Sequence, residues 1–104
     1  MTETKQTDAL TFIRKEKAVF LHGGLNRDTV PNAWQTRQDW AAGEGQLSLN
    51  LAGVEKVDSA GLAMLIQLKA ELARSKRELA LHDVSKQLLS FAEVSGVTAL
   101  LSLT

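Results

Sequence analysis

Val57-Asp58-Ser59-Ala60-Gly61-Leu62 joins two kinds of sequence pattern. Before it, Gln46-Leu47-Ser48-Leu49-Asn50-Leu51 alternates polar and apolar residues, which predicts a strand with its leucines on one face. After it, Leu62, Leu65, Ile66, Leu72 and Ala73 fall on one arc at the helical period, with the aliphatic part of Lys69 among them. This predicts a loop from Gly53 to Asp58, then a long helix from Ser59 to about Ser75. Ser59 stands where an N-cap residue belongs, and its hydroxyl would satisfy a free backbone N–H at about 1 kcal/mol.

Working outward, Leu10-Thr11-Phe12-Ile13 and Ala18-Val19-Phe20-Leu21 read as two short strands around a Lys15-Glu16-Lys17 turn, hence a hairpin. Gly23-Gly24 is expected to end the second strand. Asp28 and Thr29 suit the start of a helix that runs to about Ala42, with Pro31 in its first turn and Gly43 and Gly45 after it. Glu78 to His82 predicts a strand, Ser85 to Ser95 a helix closed by Gly96, and Thr98 to Leu103 a last strand. The order β-β-α-β-α-β-α-β implies an α/β fold with a mixed, mostly parallel sheet. Residues 1–8 read as a tail and 9–104 as one domain.

The chain has 104 residues, with 12 Lys+Arg against 12 Asp+Glu. Zero formal net charge argues against nucleic acid as partner and leaves little repulsion between protein surfaces. There is no cysteine, so disulfides and thiolate metal sites are excluded. The N-terminus is polar and has no secretory h-region, and no apolar run reaches the roughly 18 residues of a membrane span. A cytoplasmic protein is expected.

Loops after the carboxyl ends of parallel strands carry function in such sheets. Here they are His22 to Asp28 and Val54 to Ser59. A hydroxyl at a helix start is also a candidate phosphorylation site, since the dipole tolerates the added charge, although Asp58 would repel it. Gly61 in a first helical turn is costly, so either tight internal packing or a close partner must compensate. Ala60, Met64 and Leu68 form an apolar stripe outside the expected core arc, either a docking face or covered by another element. Trp34 and Trp40 lie at opposite edges of the first helix's apolar arc, and Trp34 is open to both a core and an interface reading. His22 and His82 have no partner at ligand spacing, Arg74 to Glu78 reads as a solvated helix end, and no phosphate-binding or nucleophile motif is present.

Leu49-Asn50-Leu51 and Asp58-Ser59-Ala60-Gly61-Leu62 together resemble the STAS family. Its hallmark is a strand ending in Asn-Leu, a loop, then Asp-Ser/Thr-x-Gly-Leu opening a long helix. Gly23-Gly24-Leu25-Asn26 is similar to the family's Gly-Glu-Leu-Asp turn, and Ser95-Gly96-Val97 to its Ser-Gly-Leu after the third helix. The likeness covers about Leu10 to Leu103.

The resemblance implies one of two functional classes. In anti-sigma factor antagonists the hydroxyl residue after the Asp is phosphorylated by an anti-sigma factor kinase, and Ser59 matches it. The other class is the stand-alone STAS subunit of a phospholipid-transport ABC complex, which binds the ABC-transporter ATPase. The run Val57 to Leu65, and Trp34 followed by Arg37, resemble this second class. Gly24 and Asn26 replace the Glu and Asp of the family turn. The implied protein is non-catalytic and needs no cofactor. It sits at the inner membrane only through its partner and supports outer-membrane lipid asymmetry. Asn26, Arg27, Trp34, Asp58, Ser59, Ala60, Gly61, Met64 and Leu68 are its implied partner-binding residues.

Overall fold

Thr11–Lys15 (β1) and Ala18–Leu25 (β2) pair as an antiparallel hairpin in the computed structural model, which describes residues 10–101 and 103. The tail expected over 1–8 lies outside the described residues. Glu16 turns the hairpin with a left-handed φ of 56°. The chain continues as α1 (Val30–Gln35), α2 (Arg37–Ala41), β3 (Leu47–Val57), α3 (Ser59–Arg74), β4 (Leu79–His82) and α4 (Lys86–Ser95). The four-stranded sheet has the order β1-β2-β3-β4, with β2–β3 and β3–β4 parallel, so the expected α/β class holds.

Strand alternation supplies the core. Val19, Leu21, Leu47, Leu49 and Leu51 are buried, while Phe20, Ser48 and Asn50 on the opposite pleat are half-buried. Trp40 is buried, stacks on Phe12 with ring centroids 4.5 Å apart, and donates its indole N–H to the Ala33 carbonyl at 3.1 Å. α4 starts and stops as its sequence predicts. The Ser85 hydroxyl accepts from Leu88 N at 3.1 Å, and Gly96 ends it with φ 71°.

Several expectations are corrected. The helix expected up to Ala42 breaks at Thr36, whose hydroxyl donates to the Asn32 carbonyl four residues back at 2.9 Å. Such back-bonding competes with the helical ladder and bends it. Thr29 occupies the N-cap position of α1 without a capping bond. Its hydroxyl donates instead to the Gly24 carbonyl at 2.8 Å.

Gly23-Gly24 does not end β2, and Gly53 to Val57 is strand, not loop. The two strands stay paired because β3 bulges. His22 faces Gly53, where an unbroken ladder from Phe20↔Asn50 would place Ala52. A Cβ on Gly53 would lie 2.3 Å from His22 Nδ1 and 2.8 Å from the Leu21 carbonyl oxygen, so glycine makes the bulge fit.

The buried face of α3 is Gly61, Leu62, Met64, Leu65, Leu68 and Leu72, with Ile66 half-buried and Ala73 exposed. The core arc is therefore rotated by about 70° from the expected one, at 100° per residue. The last strand expected over Thr98–Leu103 is a helical turn at 98–101. Leu101 N donates to the Val97 carbonyl at 3.0 Å, and Leu101 enters the core at 2% exposure.

Candidate docking site at the start of α3

Asp58, not Ser59, caps α3. Its backbone is extended, and its Oδ1 accepts from Ala60 N at 2.9 Å and Gly61 N at 3.2 Å. Its Oδ2 accepts from Arg27 N at 3.1 Å, and its own N–H donates to the Leu25 carbonyl at 3.2 Å. One carboxylate thus caps a helix and ties the β2–α1 loop to it. Gly61 completes the joint: a Cβ there would sit 2.3 Å from the Leu25 carbonyl oxygen and 2.9 Å from Leu25 Cγ. Of the two readings left open by sequence, tight internal packing accounts for this glycine.

The loop itself is ordered by Asn26, whose Oδ1 accepts from Asp28 N at 2.9 Å and Thr29 N at 3.2 Å. Arg27 and Ser59 are both exposed at this corner. Ser59 is the first residue of α3, and among the described residues its hydroxyl makes no hydrogen bond. Its backbone neighbours already use the Asp58 carboxylate. A phosphate on Ser59 would meet that negative group instead of free N–H donors.

Beside this corner runs a shallow groove between Val30, Pro31 and Trp34 of α1 and Ala60, Ala63 and Met64 of α3. Gln35 and Gln67 stand on its walls, and no charged side chain lines it. Met64 contributes only a floor, being 3% exposed, and Leu68 at 0% is wholly core. Of the expected outer stripe, Met64 and Leu68 therefore face inward, because the α3 core arc is rotated, while Ala60 stays half-buried on the groove wall.

Trp34 is half-buried, and the Arg37 guanidinium lies over one face of its ring, 4.1 Å from the centroid. Arg37 also donates to Glu71 through Nε at 2.8 Å and Nη2 at 3.0 Å, and to the Trp34 carbonyl through Nη1 at 2.8 Å. The bond from Arg37 holds the Glu71 carboxyl below the usual carboxylate value, and the same bond raises the Arg37 guanidinium. This bidentate pair locks α2 to α3 and fixes one wall of the groove.

The structure thus brings Asn26, Arg27, Asp58, Ser59, Ala60, Trp34 and Met64 to one corner and groove, and leaves Gly61 and Leu68 inside. Sequence reasoning missed Glu71 and Gln87, the latter accepting from Val57 N at 2.9 Å. Neither sits in a local motif; their partners lie 34 and 30 residues away. His22 and His82 are exposed, and among the described residues no group of three or more His, Asp or Glu side chains is placed to hold a metal. Among the same residues no helix is long and apolar enough to cross a membrane.

The comparisons agree with this architecture. The family model described as "Mlab, STAS domain" matches residues 9–102. The chain is similar to the Escherichia coli intermembrane phospholipid transport system binding protein MlaB, with 24% identity over 89% of this chain and 94% of that one. It is also similar to the Haemophilus influenzae protein of the same name, with 30% identity over 77% of this chain and 80% of the relative. Among solved structures it resembles a part of the murine anion transporter Slc26a9 in its inward-facing state. That match has TM-score 0.66 and 17% identity, and covers 80% of this chain but only 14% of the transporter, so the likeness concerns fold alone. With the family model spanning the sheet, the Asp58 corner and all the helices, the chain belongs to the MlaB-type STAS domain family.

Proposed function

We propose that this chain is the STAS subunit of an Mla-type phospholipid-transport ABC complex and docks on its ATPase through the Ser59 corner and the α1–α3 groove. It has no catalytic role in this reading. It supports assembly and activity of the transporter from the cytoplasmic side, reaching the inner membrane only through its partner.

The observation that carries the reading is a rigid polar corner beside an uncharged apolar groove. Asp58 fixes Arg27 and the α3 start in the free protein, so little ordering remains to be done on association. Trp34 and Ala63 offer apolar contact, and the Gln35 and Gln67 amides offer hydrogen bonds to a partner backbone. The names of the relatives connect proteins of this type with intermembrane phospholipid transport.

Co-expression with the ATPase subunit tests it. Ser59→Asp is expected to abolish co-purification while leaving the melting temperature unchanged. Undiminished co-purification would rule out docking at this corner. Met64→Asp is a poor probe, since a charge at a buried position unfolds the domain before it reports on binding.

The exposure of the Ser59 hydroxyl favours a second reading, an anti-sigma factor antagonist phosphorylated there. Incubation with an anti-sigma kinase and ATP would then add one phosphate by intact mass, and an unchanged mass would eliminate it.

A further inference from the structure

Past Asn50, among the described residues, the sheet offers β3 no neighbour on its β4 side. β4 pairs with it only from Leu47↔Leu79 to Asn50↔His82, while β3 runs on to Val57. An N–H near the end of such an overhang needs an acceptor from outside the sheet. For Val57 the acceptor is Gln87, in the first turn of α4, whose Oε1 lies 2.9 Å from Val57 N.

The helix that supplies this acceptor is itself well fixed. Ser85 caps it, and Leu88 and Ala92 are buried at 1% and 0% exposure. Its preceding turn is held by Asn50, whose Nδ2 donates to Asp83 Oδ2 at 2.8 Å. Asp83 has a left-handed φ of 55°, which this bond helps hold. Gln87 thus transmits a fixed position to the last residue of β3. The next residue is Asp58, whose carboxylate places Arg27 and the first turn of α3.

We infer that Gln87 is a positioning residue for the docking corner: it stands in for the missing strand at Val57 and so sets where Asp58, Ser59 and Arg27 face a partner. The inference rests on the docking reading above. It assigns α4 a part in recognition without requiring α4 to touch the ATPase.

Gln87→Met and Gln87→Glu test it. Methionine has similar length and no comparable acceptor, whereas glutamate keeps an acceptor oxygen. Amide hydrogen exchange in the free protein is read at Val57 and Arg27, with Leu65 and Leu68 as core controls. Affinity for the purified ATPase is measured by calorimetry well below the melting transition of each variant. Gln87→Met is expected to speed exchange at Val57 and Arg27 about three- to tenfold and to weaken Kd by a similar factor, the size of one lost hydrogen bond. Gln87→Glu restores both, and Leu65 and Leu68 stay protected.

Unchanged exchange at Val57 in Gln87→Met overturns the inference. So does an unchanged Kd despite faster exchange, or a parallel loss of protection at Leu65 and Leu68. Failure of the unsubstituted chain to bind the ATPase would instead fell the docking reading, and the exchange data alone would then decide the link from Gln87 to Arg27.

Discussion

The two ends of the sheet are held by opposite chemistry. At the end where α3 and α4 begin, carboxylate and amide oxygens accept from backbone N–H groups: Asn26 from Asp28 and Thr29, Asp58 from Arg27, Ala60 and Gly61, Gln87 from Val57. At the end where α2 finishes, guanidinium groups donate to backbone carbonyls. Arg14 reaches Trp40 and Ala42 at 3.0 and 3.1 Å, and Arg77 reaches Ala41 and Gly45, both at 2.8 Å. Helix starts leave free N–H groups and helix ends leave free carbonyls, so each end recruits the side chains its orphan groups require. The ends differ in what is left over. At the arginine end the polar groups close on the fold itself. At the Asp58 end they close equally well, yet Ser59 and Arg27 remain exposed beside an uncharged groove. Self-sufficient capping means that this corner satisfies its own N–H groups while Ser59 and Arg27 stay exposed.

Substitutions separate the two ends. The largest effect is expected for Gly61→Ala, whose new methyl would overlap the Leu25 carbonyl. A loss of about 3 kcal/mol is expected from overpacking against a backbone that cannot move aside, read by chemical denaturation. A loss under about 0.5 kcal/mol, typical of a surface change, would show that the corner is not tightly packed.

Asp58→Ala and Arg77→Met come next and make the contrast directly. Each should cost about 1–2 kcal/mol, the former from a lost cap and the latter from lost bonds to carbonyls. Only Asp58→Ala should also weaken association with the ATPase. Equal loss of association in Arg77→Met would erase the distinction between the ends.

Glu71→Gln is a smaller, pH-dependent perturbation. The bond from Arg37 keeps the folded-state Glu71 pKa below its unfolded value. Its stabilising contribution is therefore present above the unfolded pKa and lost as pH falls through the folded one. The unsubstituted protein should melt higher than Glu71→Gln at neutral pH, and the two curves should converge under acid. A melting gap independent of pH would contradict the ion pair as its source. The smallest stability effect is expected for Ser59→Ala, within about 0.5 kcal/mol, because Asp58 carries the cap.

Local patterns made much of this legible. The hairpin, the start of β3, the long helix and α4 between Ser85 and Gly96 follow from alternation, helical period and cap residues. The end of β3 did not, because Gly53 reads as a loop residue and acts as a bulge whose fit depends on His22 and Leu21 across the sheet. Nor did the facing of α3. Its apolar residues cover a broad arc, and only packing against α1, α4, β3 and β4 selects Met64 and Leu68 over Ile66 and Ala73 as core. Thr98 to Leu103 has strand-like residues, but Leu101 is buried through a helical turn. Arg77, assigned to a solvated helix end, instead clamps the α2–β3 loop. The Asp58 corner was legible as a motif, while its supports at Arg27, Leu25 and Gln87 are long-range contacts that no spacing announces.

Docking through the groove is tested most directly by the affinity of the ATPase for Ala63→Asp. Ala63 lies exposed on the groove wall, where a carboxylate spoils docking without entering the core. Lost binding with an unchanged melting temperature is expected. Full affinity in Ala63→Asp would contradict docking at this groove.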